Sequence, residues 1–338
     1  MTKSAFSSLM RAIVCSAYGP PQTLQLKHVL RPDLADDEVR IRTCVAGINF
    51  PDSLIINGEY QLKPPMPFIP GFEVAGEIIG LGKHVSGVHL GQRIVALTSK
   101  GYGAFAEEVT ARATEVVPIP DGLDYATATA LYVAYGTAYH ALVQRAGLRP
   151  GETLVVLGAA GGVGLAAVEL GKALGAEVIA VSRSRARSAT AIEKGADHII
   201  GYSEDDVRER VLEITNGRGA DVCIDMLGGQ PFHAMSRAMN WNGRLLVVGF
   251  TTGDIPKLAI NLPLLKGYQV VGVYWGAFLV REPLINAANF QALAALIDKG
   301  VVKPHIARRY SLERVPDALD DLLSRETVGK LLIDVLAQ

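Results

Sequence analysis

Residues 152–182 read ETLVVLGAAGGVGLAAVELGKALGAEVIAVS, and their pattern decides the fold. Thr153–Leu157 is a short apolar run rich in β-branched residues, 159–164 is a turn of small residues, 165–174 is helical in composition, and 177–181 is a second strand. That order describes a strand, a glycine turn, a helix and a parallel strand, the unit in which a helix N-terminus faces a pyrophosphate. Gly161 lets backbone N–H groups approach phosphate oxygens, Gly162 turns the chain into the helix, and Gly164 lets the helix lie close to the strands. Gly161, Gly162 and Val163 are therefore the expected pyrophosphate contacts. Ala159 stands where the first glycine of the usual pattern would be, so the turn alone also has a purely structural reading. The flanking strand and helix favour the dinucleotide.

Around this unit, apolar runs near residues 153, 177, 198, 221, 244 and 269 alternate with helical segments. Six such strands make a doubly wound parallel sheet, a Rossmann domain. Upstream, 10–16, 38–46, 73–81, 93–97 and 105–111 are short strands separated by Gly and Pro, which implies a β-rich distorted barrel. In 38–46, Val39, Ile41, Thr43 and Val45 share one face. Residues 49–70 form a long, proline-rich loop with aromatic and polar side chains. Downstream, helix 286–299, strand 305–310, helix 316–324 and strand 330–335 add nothing to a complete six-strand sheet and are expected to return to the first domain. The division expected is a flexible extension 1–9, a β-rich catalytic domain 10–134, a dinucleotide-binding domain 135–276 and a return over 277–338.

Composition excludes several function classes. The 338 residues are 49% hydrophobic and 20% charged, as in an ordinary globular protein. A net charge of -1 leaves no footprint for nucleic acid or an anionic membrane. No run approaches the roughly 20 apolar residues of a membrane span, and the leader MTKSAFSSL has no apolar core of a secretory signal. Cys15, Cys44 and Cys223 fit neither a disulfide framework nor a zinc cluster. Cys44 and Cys223, in strand-like runs, are expected to be buried thiols, and a cytoplasmic setting follows.

The end of the second strand of the unit bears on the dinucleotide. It reads Ser182-Arg183-Ser184-Arg185-Ala186-Arg187, with no carboxylate for ribose hydroxyls and three arginines in reach of a 2'-phosphate. Charge-assisted hydrogen bonds contribute about 1.5 to 3 kcal/mol each. Two of them favour NADPH over NADH by roughly two to four orders of magnitude. A solvated, basic helix start is the other reading of the same residues.

AGINFPD (46–52), PFIPGFEVAGEI (67–78), GAFAEE (103–108), Gly136 with Thr137, AAGGVG (159–164) and GADHIIGY (195–202) occur in one order along the chain. Together they resemble the zinc-free quinone oxidoreductase (zeta-crystallin-like) branch of the medium-chain dehydrogenase/reductase superfamily, from Met10 onward. The resemblance implies a GroES-like first domain, NADPH as cofactor, and hydride transfer to a small quinone or α,β-unsaturated carbonyl. Where zinc-dependent members of that superfamily carry ligands, this chain has Asn49, Phe72 and, nearby, Val133. An amide, a phenyl ring and an isopropyl group do not bind zinc, so no metal is expected.

Without a Lewis acid, Asn49 is the leading hydrogen-bond donor to the substrate oxygen and Tyr60 the next. Asn49 also reads as a turn residue before Pro51, and Tyr60 as a loop anchor. The resemblance places Thr137 near the nicotinamide, Arg187 and Tyr202 near the adenosine phosphate, and Lys330 near the pyrophosphate. Thr137 and Lys330 also read as a plain helix residue and a surface lysine. Asn49, Ser182, Arg183, Gly249 and Phe250 complete the expected cofactor set. Two alternatives stay open: a reductase of unsaturated acyl thioesters, and a non-catalytic, crystallin-like NADPH-binding protein. The strand QVVGVYW (269–275) is last in the sheet and apolar on both faces, so a homodimer paired through that edge is expected.

Overall fold

The computed structural model describes residues 9–336. They form two compact units, one taking the chain up to Val133 and again from Ile306, the other spanning Ala134–His305. The expected extension 1–9 lies outside the described residues except for Leu9, which opens the first strand.

The first unit begins with a hairpin of β1 (Leu9–Val14) and β2 (Gln25–Leu30). Its sheet is built on β3 (Glu38–Ile48), an eleven-residue strand. Val39, Ile41, Thr43 and Val45 are buried as their alternation predicts. The register on the next strand shifts at Arg40/Ile41 and at Thr43/Val45, irregularities of the kind that bend a sheet toward a barrel. β4 (Glu73–Leu81), β5 (Arg93–Leu97), β6 (Glu108–Arg112) and β7 (Val117–Pro118) complete the first pass. The stretch 49–70 is not all loop: α1 (Phe50–Ile56) opens it. Asn49 and Asp52, three apart, cap this helix, and Pro51 suits a first turn, where no N–H is needed. α2 (Tyr125–Tyr139) follows and continues in wider turns over His140–Arg145.

In the second unit, β8 (Thr153–Leu157), β9 (Glu177–Ser182), β10 (His198–Gly201), β11 (Ala220–Asp225), β12 (Met239–Val247) and β13 (Gln269–Gly272) are all parallel. Their order is β10-β9-β8-β11-β12-β13. Every residue of β8 is buried, as a central strand covered on both faces must be. Val155, Leu157, Ile179, Ile200, Cys223 and Leu245 form the core beneath the helices. The crossovers carry α3 (Gly162–Ala173), α4 (Ala189–Glu193), α5 (Val207–Ile214), α6 (Gly229–Ser236) and α7 (Asn261–Lys266).

Two expectations need correction. The last strand stops at Gly272, because Trp275 opens α8 (Trp275–Arg281), followed by α9 (Pro283–Asp298). Those helices belong to the second unit, so the chain returns to the first unit at Ile306 and not at residue 277. The reason is local packing: a Cβ on Gly136 would come within 2.8 Å of the Trp275 ring, Phe278 stacks on His140 at 4.0 Å, and Gln144 donates to Asn289 at 3.0 Å. The return consists of β14 (Ile306–Ser311), α10 (Val315–Ser324) and β15 (Lys330–Asp334). β15 pairs antiparallel with β3, Leu331 opposite Ile48. Of the three thiols, Cys15 and Cys223 are buried, whereas Cys44 is half-buried.

Candidate active site

The strand order reverses between β8 and β11, and ligands of open α/β sheets bind beyond the strand ends at such a reversal. There β8 gives way to Gly158, with φ of +90°, and α3 starts at Gly162 with Gly161 as its N-cap. A Cβ on Gly164 would lie 2.0 Å from the Gly158 carbonyl oxygen, so close packing of helix on strand requires glycine. Gly161 differs, since its nearest neighbour would be 3.5 Å away, an ordinary contact. Gly162 and Val163 are the first residues of a twelve-residue helix, whose first-turn N–H groups have no partner within it.

The segment after β9 is stitched to the segment after β10. Tyr202 N–H donates to Ser182 O (2.9 Å) and Ser203 N–H to Arg183 O (3.0 Å). The Ser182 hydroxyl is buried and bonds to Ser184 O (2.9 Å) and Ser188 Oγ (2.6 Å), which ties the turn together. Arg183 is exposed, and Arg187 and Tyr202 are half-buried. Arg185 is held by Asp205, whose Oδ2 accepts from Nε at 3.0 Å. Beyond β12, Val248 and Gly249 N–H groups donate to Asp225 O, and the Phe250 ring lies beside Gly228. Asp225 accepts from Leu227 and Gly228 N–H, and burial raises its carboxyl to about 6. Thr137 is buried on α2 next to Gly136.

The first unit brings together residues far apart in sequence. Continuing the β15–β3 register by one step sets Lys330 beside Asn49, and Gly47 of β3 pairs with Glu73 of β4. Three adjacent strands thus converge on one buried cluster. The Lys330 ammonium donates to Glu73 Oε2 and Asn49 Oδ1, both at 2.7 Å. Asn49 Nδ2 donates to Glu73 Oε2 (2.9 Å), and Glu73 Oε1 accepts the Val133 N–H (2.9 Å). Asp52 Oδ2 accepts the Asn49 N–H (2.8 Å). Glu73 and Asp52 are 0% exposed and Lys330 5%. Burial drives the Asp52 carboxyl up to about 8, with Glu73 adding to the rise and the Lys330 charge opposing it. A Cβ on Gly47 would sit 2.0 Å from Glu73 Oε2, so glycine makes room for the carboxylate. Tyr60 packs half-buried against the core of this unit.

Glu73 and Asp52 are site residues that the sequence reading did not select. The signals were present: a carboxylate heading the apolar run Glu73–Leu81 needs a partner, and Asn49-x-x-Asp52 has capping spacing. Among the described residues no group of three or more His, Cys, Asp or Glu is placed to hold a metal.

Comparison with known proteins bears on this arrangement. A profile described as the alcohol dehydrogenase GroES-like domain matches residues 35–121, and one described as zinc-binding dehydrogenase matches 162–297. Quinone oxidoreductase-like protein 2 homolog of Nematostella vectensis is 35% identical over 326 residues, 96% of this chain and 88% of that protein. The chain belongs to the quinone oxidoreductase branch of the medium-chain dehydrogenase/reductase superfamily. Rat quinone oxidoreductase is 30% identical over 331 residues, covering 96% and 98% of the two chains. The structure of Escherichia coli quinone oxidoreductase complexed with NADPH superposes with a TM-score of 0.89 at 29% identity, over 96% of this chain and 100% of that one. The Rossmann sheet and GroES-like unit are those of this oxidoreductase family, whose members bind nicotinamide dinucleotides.

Proposed function

We propose that the protein is an NADPH-dependent reductase that delivers hydride to a quinone or an α,β-unsaturated carbonyl, with no part played by zinc. The observation that carries this reading is the Lys330 ammonium held between Asn49 Oδ1 and Glu73 Oε2. A zinc site wants thiolate, imidazole or carboxylate lone pairs. Here Glu73, the carboxylate beside Phe72, has both oxygens engaged by Val133 N–H, the Asn49 amide and an ammonium. The residues do not fit zinc, because the ion would have to displace a buried cation from its own counter-charge.

The residues of the second unit do fit NADPH. Gly161, Gly162 and Val163 would take the pyrophosphate on the first turn of α3, Arg183 and Arg187 with Tyr202 the 2'-phosphate, and Thr137, Gly249 and Phe250 the remainder. Ser182 serves by holding the turn that carries Arg183. Bound NADPH supplies the hydride, from C4 of its nicotinamide ring. When a quinone or enone accepts that electron pair, negative charge gathers on its oxygen. Asn49 suits that oxygen: one amide N–H is held by Glu73 and the other leans on Gly47 O at 3.4 Å, longer than an ordinary hydrogen bond. A well-aimed donor of this type accelerates reaction by roughly 100-fold or more. Tyr60 or water would supply the one proton that the oxygen then takes up.

The reading is tested by following NADPH absorbance with a panel of quinones and enones. Saturable, acceptor-dependent oxidation is expected. Tight NADPH binding with no turnover on any acceptor would instead make the protein a non-catalytic NADPH binder.

A further inference from the structure

We propose that Lys330 and Glu73 are positioning residues that clamp the Asn49 carboxamide in one orientation, keeping one amide N–H for the substrate oxygen. The proposal rests on Asn49 being the donor described above. A primary amide presents two ends of nearly equal shape, and only its partners decide which end is which. Here they decide it by charge. An ammonium only donates, and it meets Oδ1 at 2.7 Å; a carboxylate only accepts, and it meets Nδ2 at 2.9 Å. The flipped amide would set N–H against N–H⁺ and oxygen against carboxylate.

The clamp is itself anchored. Glu73 Oε1 is fixed by the Val133 N–H, Oε2 by Lys330, and the space for the carboxylate exists because Gly47 has no side chain. The Asn49 backbone is held by Asp52 Oδ2 at 2.8 Å, so main chain and side chain are both fixed before any substrate arrives. Donors set in advance are what stabilises a developing oxyanion. Burying an ion pair is a weak source of stability, since apolar replacements often serve as well. Sharing both ions with one amide therefore points to geometry as their contribution.

The test uses the double variant K330M/E73Q, which leaves no lone buried charge, together with N49A. Expected for the double variant are an unfolding temperature and NADPH Kd near wild type, a kcat lower by about 100-fold, and a KM little changed. Adding N49A to it should cost no further activity, because the clamp acts only through that amide. With Asn-selective 15N labelling, the Asn49 amide proton held by Glu73 in the wild type should be protected from exchange and should lose that protection in the double variant. A rise in NADPH Kd with kcat preserved would make Lys330 a phosphate ligand and overturn the proposal. Unchanged kcat, losses that multiply with N49A, or an unprotected Glu73-bound amide proton in the wild type would overturn it too. Failure of the wild type with every acceptor would sink the proposed function alone; the amide signals, read without substrate, then still decide the clamp.

Discussion

Asp52 shows how a single buried group shapes the behaviour of the site. Its carboxyl sits at about 8 in the folded chain against 3.8 when free, because the charged form is buried. The contribution to stability is fully present below about pH 3.8, falls as pH rises, and is gone once pH passes about 8, since the folded state holds the proton longer. In Asp52→Asn that slope disappears, so unfolding temperatures of wild type and variant, scanned over this range, should diverge with pH in the stated direction. At the adenosine end, Arg187→Ala should raise the NADPH Kd by about tenfold or more, the loss of one charge-assisted hydrogen bond. The NADH Kd, read by the same titration, should hardly move. Equal weakening of both would remove the phosphate from Arg187. Asp52 and Glu73 leave only local marks in the sequence, a capping spacing and a carboxylate heading an apolar run, because what matters about each is a partner. Lys330 lies 281 residues from Asn49, and only the β15–β3 register joins them.

At the scale of elements, the six parallel strands were legible because a strand buried on both faces reads as a continuous apolar run, as in Thr153–Leu157. The glycine turn was legible for the same reason, with its strand and helix in place on either side. What the sequence obscured was α1, hidden in a proline-rich stretch whose capping pair Asn49 and Asp52 looked like loop residues. The two glycines of the turn separate by packing. Gly164→Ala puts a methyl 2.0 Å from a backbone oxygen and should lower the unfolding temperature sharply. Gly161→Ala meets nothing closer than 3.5 Å, so the protein should fold normally and yet bind NADPH more weakly, because a methyl then stands where backbone N–H groups meet phosphate. Calorimetry on both variants, with NADPH titrations, distinguishes the two roles.

For the whole molecule, nothing local to α8 and α9 marks them as staying with the second unit. The contact that holds them there, Trp275 on Gly136, joins residues 139 positions apart, 275 minus 136. The edge strand β13 exposes Val270 at 41%, Tyr274 beyond it 60%, and Leu264 and Leu265 on α7 80% and 72%. An exposed apolar edge, even one of four residues, invites pairing with a second copy, and the homodimer remains our proposal for it. Sedimentation at micromolar concentration should give twice the 36.0 kDa chain mass, and Val270→Lys should shift it toward monomer. A wild type that sediments as a monomer would refute the pairing.

We propose that an amide held by an ion pair, and no metal, meets the substrate oxygen. This is tested most directly by quinone-dependent NADPH oxidation in protein stripped of divalent metal, with residual zinc quantified in the same sample. The full rate is expected in zinc-free protein, with no gain on adding zinc. A rate that vanishes on stripping and returns in proportion to added zinc would contradict it.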